Sequence, residues 1–385
     1  MEFGYSMESH TRGVGAAEHH EAFKEFFRQV QLCEEGGMDF VWLSEHHFTP
    51  QRSFGSASMV MAGAVSAATE RIKVGSAVVV LPTHNPLHVA EEVSVLDHLT
   101  SGRFEFGVGR SGGVGAYRGF NMDYGESQAR FSECLEVIKR ALSNKRFSYE
   151  GQFYKFDDVL MAPRPLTTPY PKMRWAVNSS ATFKMAGEMN MPIFVGVLQL
   201  DIDQLVELLA VYDEARARAG YTGSRDVHLR IPIYVSDTMD DALKTPEEGF
   251  VHRYDEAMRT LVRLADSGQA NYLDERAERI DTLDELNWKS IHTSEKAIVG
   301  TPDLVANKVK IIVDALKLSG MVLEFNAGER MPEDKINRSI ELFCERVAPA
   351  FWDKEPEGLM SLSEGDHGAH AGHADHASHE GHGHP

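Results

Sequence analysis

Short apolar runs rich in β-branched residues alternate with amphipathic helical segments along most of the chain. In the first helical segment, residues 19–35, Phe23, Phe26 and Val30 recur at spacings of three and four. Strands separated by helices in this way form a parallel sheet whose two faces are both covered. The eight predicted strands are residues 1–5, 39–43, 72–81, 103–108, 174–177, 192–198, 228–235 and 321–325.

A closed (β/α)8 barrel, or TIM barrel, and a doubly wound open sheet both satisfy this alternation. The open sheet normally carries a Gly-rich phosphate turn directly after its first strand. After Phe3-Gly4-Tyr5 the chain has only Gly13-Val14-Gly15, which lacks the strand–turn–helix spacing. We therefore predict an α/β fold with a TIM barrel over residues 1–350.

Two predicted insertions and a C-terminal extension account for the length beyond a minimal barrel. Such a barrel takes about 250 residues, and the chain has 385. Residues 143–172 are rich in aromatics and prolines, which predicts irregular backbone. Residues 237–299 are strongly charged, with helical patches and no strand pattern. Long insertions of this kind are usually lids or mobile segments.

The C-terminal extension, residues 351–385, ends in a His-rich tail from about residue 365. Histidine recurs at every third position from His367 to His382, with Gly, Ala, Ser and acids between. Because such a segment cannot bury a core, we expect it to be disordered. A solvated tail is the simpler interpretation, and loose capture of Ni²⁺, Zn²⁺ or Cu²⁺ by the imidazoles is the alternative.

Composition excludes several classes of partner. The net charge of -19 repels phosphate backbones and acidic lipid head groups, so neither nucleic acid nor a membrane surface is expected. No apolar run approaches the roughly 20 residues of a membrane span. The N-terminus shows no basic region followed by an apolar core. Cys33, Cys134 and Cys344 match no metal spacing, and reduced thiols in the cytoplasm are the simplest interpretation.

The second predicted strand ends in Ser44-Glu45-His46-His47. Barrel enzymes place their chemistry at the C-terminal ends of strands. Successive strand residues point to opposite sides, so one imidazole should face the barrel mouth and the other should be structural. The same alternation disfavours metal ligation by the adjacent pair. From the residues alone, a functional imidazole and a buried structural one are equally open.

Two further strand ends favour an anionic ligand. Gly107-Val108-Gly109-Arg110 enters a Gly-rich loop, where glycine permits close approach and the guanidinium matches phosphate. Arg130 lies downstream and offers more charge, although surface salt bridging is the simpler role for it. Asn178-Ser179-Ser180-Ala181-Thr182 opens a helix, where its hydroxyls suit either N-capping or anion binding. Together the two segments fit a phosphate-bearing cofactor better than either does alone.

These segments together resemble the bacterial luciferase-like family of flavin-dependent monooxygenases, over about residues 1–350. The matching pieces are Phe40-Val41-Trp42-Leu43-Ser44-Glu45-His46-His47-Phe48, Val74-Gly75-Ser76-Ala77-Val78-Val79-Val80-Leu81-Pro82 with Asn85-Pro86, Ala90-Glu91-Glu92 through Leu96-Asp97, Ser101-Gly102-Arg103-Phe104, Phe106-Gly107-Val108-Gly109-Arg110, and Val299-Gly300-Thr301-Pro302.

The resemblance implies a barrel that binds reduced FMN at its C-terminal mouth, with the flavin supplied by a separate reductase. In the family, O2 adds at the flavin C4a carbon to give a peroxide or hydroperoxide, which here would oxygenate a small organic substrate. By position, His46 would be the catalytic imidazole with Glu45 beside it, and Ala77-Val78 would form a non-proline cis peptide under the ring. The positions expected near the flavin or its phosphate are Gly109, Arg110, Asn178, Ser179 and Thr182, with Arg130 a weaker match.

The chemistry implied by the resemblance sets further expectations. A dry pocket protects the reactive flavin species, and the apolar residues expected to line it are Trp42, Phe106, Trp175 and Phe194. His46 would donate and accept protons at flavin N5 and at the distal oxygen of the peroxide. The resemblance also implies a homodimer through helices near residues 56–69 and 86–100.

The chain departs from the light-emitting members of the family at two positions. Those subunits carry a reactive Cys where this chain has Gly109, and an acidic residue where it has Asn178. Light emission is therefore not expected. Because insertion 237–299 also differs from the luciferase lid, the long-chain aldehyde substrate is not carried over. Three alternatives stay open. They are a deazaflavin-dependent hydride-transfer enzyme, a non-catalytic flavin-binding relative, and a metal-binding protein whose function depends on its His-rich tail.

Overall fold

A computed structural model describes residues 1–7, 13, 15–49, 53, 55–111, 113–266, 286–328 and 330–352. The described residues belong to one unit, Met1–Trp352. The predicted disordered tail, the rest of the extension beyond Trp352 and residues 267–285 of the charged insertion lie outside the described residues.

The predicted TIM barrel is confirmed. Its strands pair in parallel around a closed ring, because the first strand pairs with the second on one side and with the last on the other. The strands are Glu2–Met7 (β1), Phe40–Leu43 (β2), Lys73–Ser76 (β3), Val79–Val80 (β4), Phe104–Gly109 (β5), Arg146–Glu150 (β6), Lys155–Leu160 (β7), Met173–Ala176 (β8), Ile193–Gly196 (β9), Val227–Val235 (β10), Ile298–Gly300 (β11) and Gly320–Glu324 (β12). Strands β1, β2, β3, β5, β8, β9, β10 and β12 form the ring, while β4 pairs with β5 and β11 with β10.

Helices cover the outside of the ring, since the apolar stripes seen in the sequence need a sheet face to bury them. They are Ala16–Glu35 (α1), Ser58–Ala68 (α2), Pro86–Leu99 (α3), Val114–Gly119 (α4), Ser127–Ser143 (α5), Ser180–Glu188 (α6), Ile202–Arg218 (α7), Met239–Lys244 (α8), Glu247–Asp266 (α9), Trp288–Thr293 (α10), Pro302–Leu316 (α11) and Glu333–Leu342 (α12). Among the described residues, no helix combines the length and the apolar character that crossing a membrane requires.

The third predicted strand, residues 72–81, is wrong as one continuous strand. It is divided into β3 and β4 at the Ala77–Val78 peptide, which is cis. Pro82 does not end the strand but lies in a short 3-10 helix, Leu81–Thr83. A β-branched run indicates extended backbone and carries no information on the isomer of a peptide bond. The cis bond itself is the one expected from the family resemblance.

Among the described residues, both insertions contain strands that had not been predicted. Within residues 143–172, β6 and β7 form an antiparallel hairpin, so the expectation of irregular backbone is wrong there. The alternation of Phe147 and Tyr149 with polar neighbours was the available signal. Insertion 237–299 contains α8, α9 and α10 as expected, but it ends in β11, which had not been predicted.

A buried ionic cluster occupies the N-terminal end of the barrel, opposite the mouth. Arg174 lies 2.6 Å from Asp226 and 3.3 Å from Glu105, and Nε2 of His228 lies 3.2 Å from a carboxylate oxygen of Glu2. Burial, followed by the nearby positive charge of Arg174, lowers the pKa of His228 to about 4. Burial raises the pKa of Glu2, but hydrogen bonds from His228 and Lys73 outweigh it and bring the pKa down to about 2. This end of a barrel normally serves stability.

Candidate active site

A cavity of about 260 Å³, termed here the main cavity, opens at the C-terminal end of the barrel. Residues at the strand ends, or one or two positions beyond them, line it: Glu45 after β2, Ala77 after β3, Asn178 after β8, Gly196 in β9 and Glu324 in β12. The ends of parallel strands converge at this edge, so side chains far apart in sequence meet here.

Five of the ten candidate residues line the main cavity: Glu45, His46, Ala77, Val78 and Asn178. His46 is partly exposed, and its backbone N–H donates to the carbonyl of Gly55 at 2.7 Å. His47 does not line the main cavity, although both imidazoles border an adjoining cavity of about 380 Å³. The adjacent histidines therefore have different surroundings, although both lie beyond the end of β2 at Leu43.

Glu45 is the buried centre of a hydrogen-bond network. Nε2 of His47 and Nε2 of His84 each lie 2.9 Å from Oε1 of Glu45, and the Ser58 hydroxyl donates to Oε2 at 3.4 Å. Burial raises the pKa of Glu45, but the hydrogen bonds and positive charge of the two imidazoles outweigh it and the pKa is lowered. Burial lowers the pKa of His84, but the hydrogen bond to Glu45 outweighs burial, so the pKa of His84 is raised overall. The pair therefore favours an ionised carboxylate beside a protonated imidazole.

His84 was missed in the sequence, although a signal was present. The residue follows the third β-branched run directly, at the same end of the barrel as Glu45. The ligand atoms of Glu45, His47 and His84 all lie within 4.8 Å of one another, a spacing that would also suit a metal ion. The two 2.9 Å hydrogen bonds from Nε2 of each imidazole to Oε1 of Glu45 account for this spacing without a metal ion.

Glycine at position 109 leaves room for the Ala77–Val78 segment. A Cβ added at Gly109 would lie 2.4 Å from Cγ2 of Val78, and one added at Gly107 would lie 1.9 Å from the carbonyl oxygen of Ser76. Carbon atoms in contact normally lie about 3.5–4.0 Å apart. A side chain at position 109 would therefore push Val78 out of the position in which it lines the main cavity.

The expected phosphate contacts lie outside the main cavity lining. Ser179 and Thr182 cap α6 reciprocally: the Ser179 hydroxyl accepts from the Thr182 N–H at 3.4 Å, and the Thr182 hydroxyl accepts from the Ser179 N–H at 3.1 Å. Nη1 of Arg110 donates to the Ser127 hydroxyl at 3.1 Å. Arg130 forms an ion pair with Glu126 at 2.8 Å. Ser179, Thr182 and Arg130 thus have the structural roles that the sequence left open beside the binding role, and the contact of Arg110 with Ser127 had not been predicted.

The apolar lining differs from the expected set. Phe194 lines the main cavity, but Trp42, Phe106 and Trp175 are fully packed inside the protein. Trp42 stacks on Phe40 with ring centroids 4.4 Å apart and meets Phe194 edge-on at 4.9 Å. Trp42 therefore supports the cavity wall from below instead of forming it. Trp175 stacks on Phe131 of α5 with ring centroids 4.9 Å apart, so it faces the surrounding helices and not the barrel interior. Strand alternation separates the two sides of a strand, but it does not by itself say which side is the interior.

Three charged residues on one wall were also missed. Arg230 on β10 and Arg253 on α9 both contact Oε1 of Glu324 on β12, the latter at 3.4 Å. All three line the main cavity. Arg230 and Glu324 interrupt apolar strands at positions that point inward, which was a readable signal. Arg253 lies in the charged insertion, where a single arginine among many charged residues gives no sign of a functional role.

Comparison with known proteins gives the family. Residues 1–316 match the profile of the luciferase-like monooxygenase family. The alkanal monooxygenase alpha chain of Photorhabdus luminescens is 26% identical over 346 residues, which cover 87% of this chain and 94% of that one.

Solved structures similar to the barrel, all at low identity, show the fold alone. The oxygenating constituent of 3,6-diketocamphane monooxygenase of Pseudomonas putida, a type II Baeyer–Villiger monooxygenase in complex with FMN, matches with a TM-score of 0.74 at 20% identity, covering 91% of this chain and 98% of that one. The coenzyme F420 dependent tetrahydromethanopterin reductase of Methanopyrus kandleri matches with a TM-score of 0.68 at 16% identity, covering 91% of this chain and 99% of that one. With the family profile matched over most of its length, the chain belongs to the luciferase-like monooxygenase family.

Proposed function

We propose that this protein is a two-component flavin-dependent monooxygenase. It takes reduced FMN from a separate flavin reductase that binds transiently, and it uses O2 to transfer one oxygen atom to a small organic substrate. The observation that carries the proposal is that His46 and the Ala77–Val78 peptide share one largely apolar cavity at the barrel mouth. Sites of this type normally lie at this end of the barrel.

The residues present fit a flavin. The absence of side chains at Gly107 and Gly109 lets Ser76 and Val78 pack closely against this strand, which places Val78 at the cavity wall. Ala77, Val78, Val80 and Phe194 supply apolar surface for a planar ring. Arg110 and the N-terminus of α6, with Asn178, Ser179 and Thr182, supply donors for a phosphate, and Arg130 would add charge.

Bound reduced FMN would supply the two electrons that activate O2. The chain's own contribution is to hold protons and exclude water. His46 places an imidazole at the cavity, a group that can serve as a general acid or base at the reacting centre. Glu45, the residue before His46, fixes the position of the backbone at His46, because the Glu45 carboxylate is hydrogen-bonded to His47 and His84. The apolar wall around Phe194 keeps bulk water from the reacting atoms.

Light emission is not part of the proposal. The light-emitting members carry a Cys at the position of Gly109, and a side chain there would collide with Val78. A cysteine at position 109 would therefore require Val78 to move from its present position at the cavity wall.

A homodimer is the proposed assembly, through the neighbouring helices α2 and α3. Both expose apolar side chains: Val60 on α2 is 72% exposed, and Val95 and Leu99 on α3 are 42% and 57% exposed. Exposed apolar side chains grouped on adjacent helices are typical of a protein interface.

Deazaflavin-dependent hydride transfer is the second candidate, since the reductase of Methanopyrus kandleri that shares the fold is named for coenzyme F420. Rapid mixing of the protein with reduced FMN and O2 separates the two candidates. We expect oxidised FMN to reappear measurably more slowly than from free reduced FMN, because the site retains the reactive flavin. Reappearance at the rate of free flavin, together with tight binding of reduced coenzyme F420, would overturn the proposal.

A further inference from the structure

His84 links the two segments of chain that build the reacting end of the main cavity. One is the His46 segment, residues 44–47, which follows β2, and the other is the cis-peptide segment, residues 77–84, which follows β3. The pairing of β2 with β3 ends before either segment begins. Beyond that point, Nε2 of His84 donates to Oε1 of Glu45 at 2.9 Å. This hydrogen bond therefore joins the two segments where the pairing of the strands no longer does.

The carboxylate of Glu45 depends on His84 for its contact with the cis-peptide segment. Its other hydrogen-bond partners among the described residues are His47, on the same segment, and Ser58 at the start of α2, whose hydroxyl is 3.4 Å away. The side chain of Glu45 is 1% exposed. Because water does not compete there, a hydrogen bond to this carboxylate is stronger than it would be at the surface.

The turn that carries His84 is also held by α5 and by the hairpin of the first insertion. The hydroxyl of Tyr154, between β6 and β7, donates to the carbonyl of His84 at 3.3 Å. The thiol of Cys134 on α5 donates to the carbonyl of Leu81 at 3.5 Å. Glu133 accepts the backbone N–H of Tyr154 at 2.8 Å, which fixes the hairpin to α5. Loss of the imidazole would therefore leave this turn in place and release the carboxylate on the His46 segment.

We propose that His84 is a positioning residue for the oxygenation reaction. Through Glu45 it holds the neighbouring His46 at a fixed place relative to the cis peptide and the apolar wall beside it. A displacement of about 1 Å at a reacting centre can lower a rate on the order of 100-fold, so a contact that fixes this distance bears directly on the chemistry. The inference rests on the proposed monooxygenase function and adds a residue to its site.

Rapid mixing of variants with reduced FMN and O2 tests this inference without an identified substrate. His84→Leu removes the donor, whereas His84→Gln keeps an amide N–H near the position of Nε2. We expect oxidised FMN to reappear at least about tenfold faster from His84→Leu than from the unmodified protein, and His84→Gln to restore most of the delay. Affinity for oxidised FMN should be the same in both variants, because Tyr154 and Cys134 still hold the cis-peptide segment.

Combination with His46→Ala separates positioning from a general structural effect. His46→Ala should itself speed the reappearance of oxidised FMN. If His84 acts through His46, adding His84→Leu to that variant should speed it no further, whereas independent effects would add. The matched control is His98→Leu, which removes an exposed histidine of α3 whose Nε2 donates to the carbonyl of Arg164 at 2.8 Å, and it should change nothing.

Three results would overturn the inference. They are an unchanged rate in His84→Leu, equal acceleration in His84→Gln and His84→Leu, and additive effects in the double variant. Circular dichroism verifies folding. If His84→Leu does not fold, His84→Asn takes its place, since the shorter amide does not extend to the position of Nε2.

The outcome for the unmodified protein distinguishes the two proposals. Reappearance of oxidised FMN at the rate of free flavin would overturn the monooxygenase proposal and this inference with it. Slow reappearance in the unmodified protein, together with any of the three results above, would overturn the role of His84 alone.

Discussion

Gly109→Ala should destabilise the protein by steric conflict with Val78 alone. The added Cβ would lie 2.4 Å from Cγ2 of Val78, whereas carbon atoms in contact lie about 3.5–4.0 Å apart. Val78 must therefore move by roughly 1 Å, and overpacking of this kind lowers the free energy of unfolding by about 1–3 kcal/mol. The φ angle of Gly109 is not positive, so the backbone adds no strain of its own.

Urea denaturation measures this change, and a double-mutant cycle assigns it. Val78→Ala removes both Cγ atoms and leaves Cβ of Val78 at 3.4 Å from the added atom. The double variant should thus recover about 1 kcal/mol or more relative to the sum of the single changes. Gly115→Ala is the control, because a Cβ there meets nothing within 4 Å. FMN affinity should fall in Gly109→Ala and recover in the double variant.

Two results would refute this reasoning. The first is a Gly109→Ala protein as stable as the parent with the same FMN affinity, which would mean that Val78 relocates freely. The second is full additivity in the cycle, which would place the cause of any destabilisation elsewhere.

Four further outcomes are expected. His46→Ala should bind FMN normally but lose at least about tenfold in turnover by product formation, while His20→Ala, on an exposed surface, should retain activity. The free energy of unfolding should fall by about 3 kcal/mol as the pH falls from 6.5 to 4, because the pKa of His228 is lowered to about 4 in the folded protein and His228 is therefore protonated first in the unfolded chain. Glu2, with its pKa lowered to about 2, adds a further loss of stability below pH 4.5. pH-dependent denaturation measures this, and a flat profile contradicts it. Val60→Asp should convert the proposed dimer to a monomer in sedimentation, since it puts a charge in an apolar interface. Dialysis against EDTA should leave turnover unchanged, because Oε1 of the buried Glu45 is already hydrogen-bonded to Nε2 of His47 and of His84. Loss of activity restored by one metal would show that the cluster is a metal site.

The alternation of strand and helix, together with the lack of a Gly-rich phosphate turn after the first strand, predicted the barrel from the sequence. Parallel strands flanked by amphipathic helices must cover both sheet faces, and few arrangements do so. The same pattern placed His46 and Glu45 at a strand end, where the barrel mouth lies. Resemblance to the family added the cis bond at Ala77–Val78, which local composition does not encode.

The partners of these residues were decided only by the closed barrel. Glu45 meets His84 across 39 residues of chain, and Glu324 meets Arg253 across 71. Trp42 and Trp175 were expected to line the cavity, but Trp42 packs between Phe40 and Phe194, and Trp175 stacks on Phe131 of α5. Periodicity reports the face on which a side chain lies, whereas contacts depend on strand register, tilt and depth along the barrel axis. The sequence therefore determined the fold and the edge at which the site lies, and the tertiary structure decided which charged groups share its cavity.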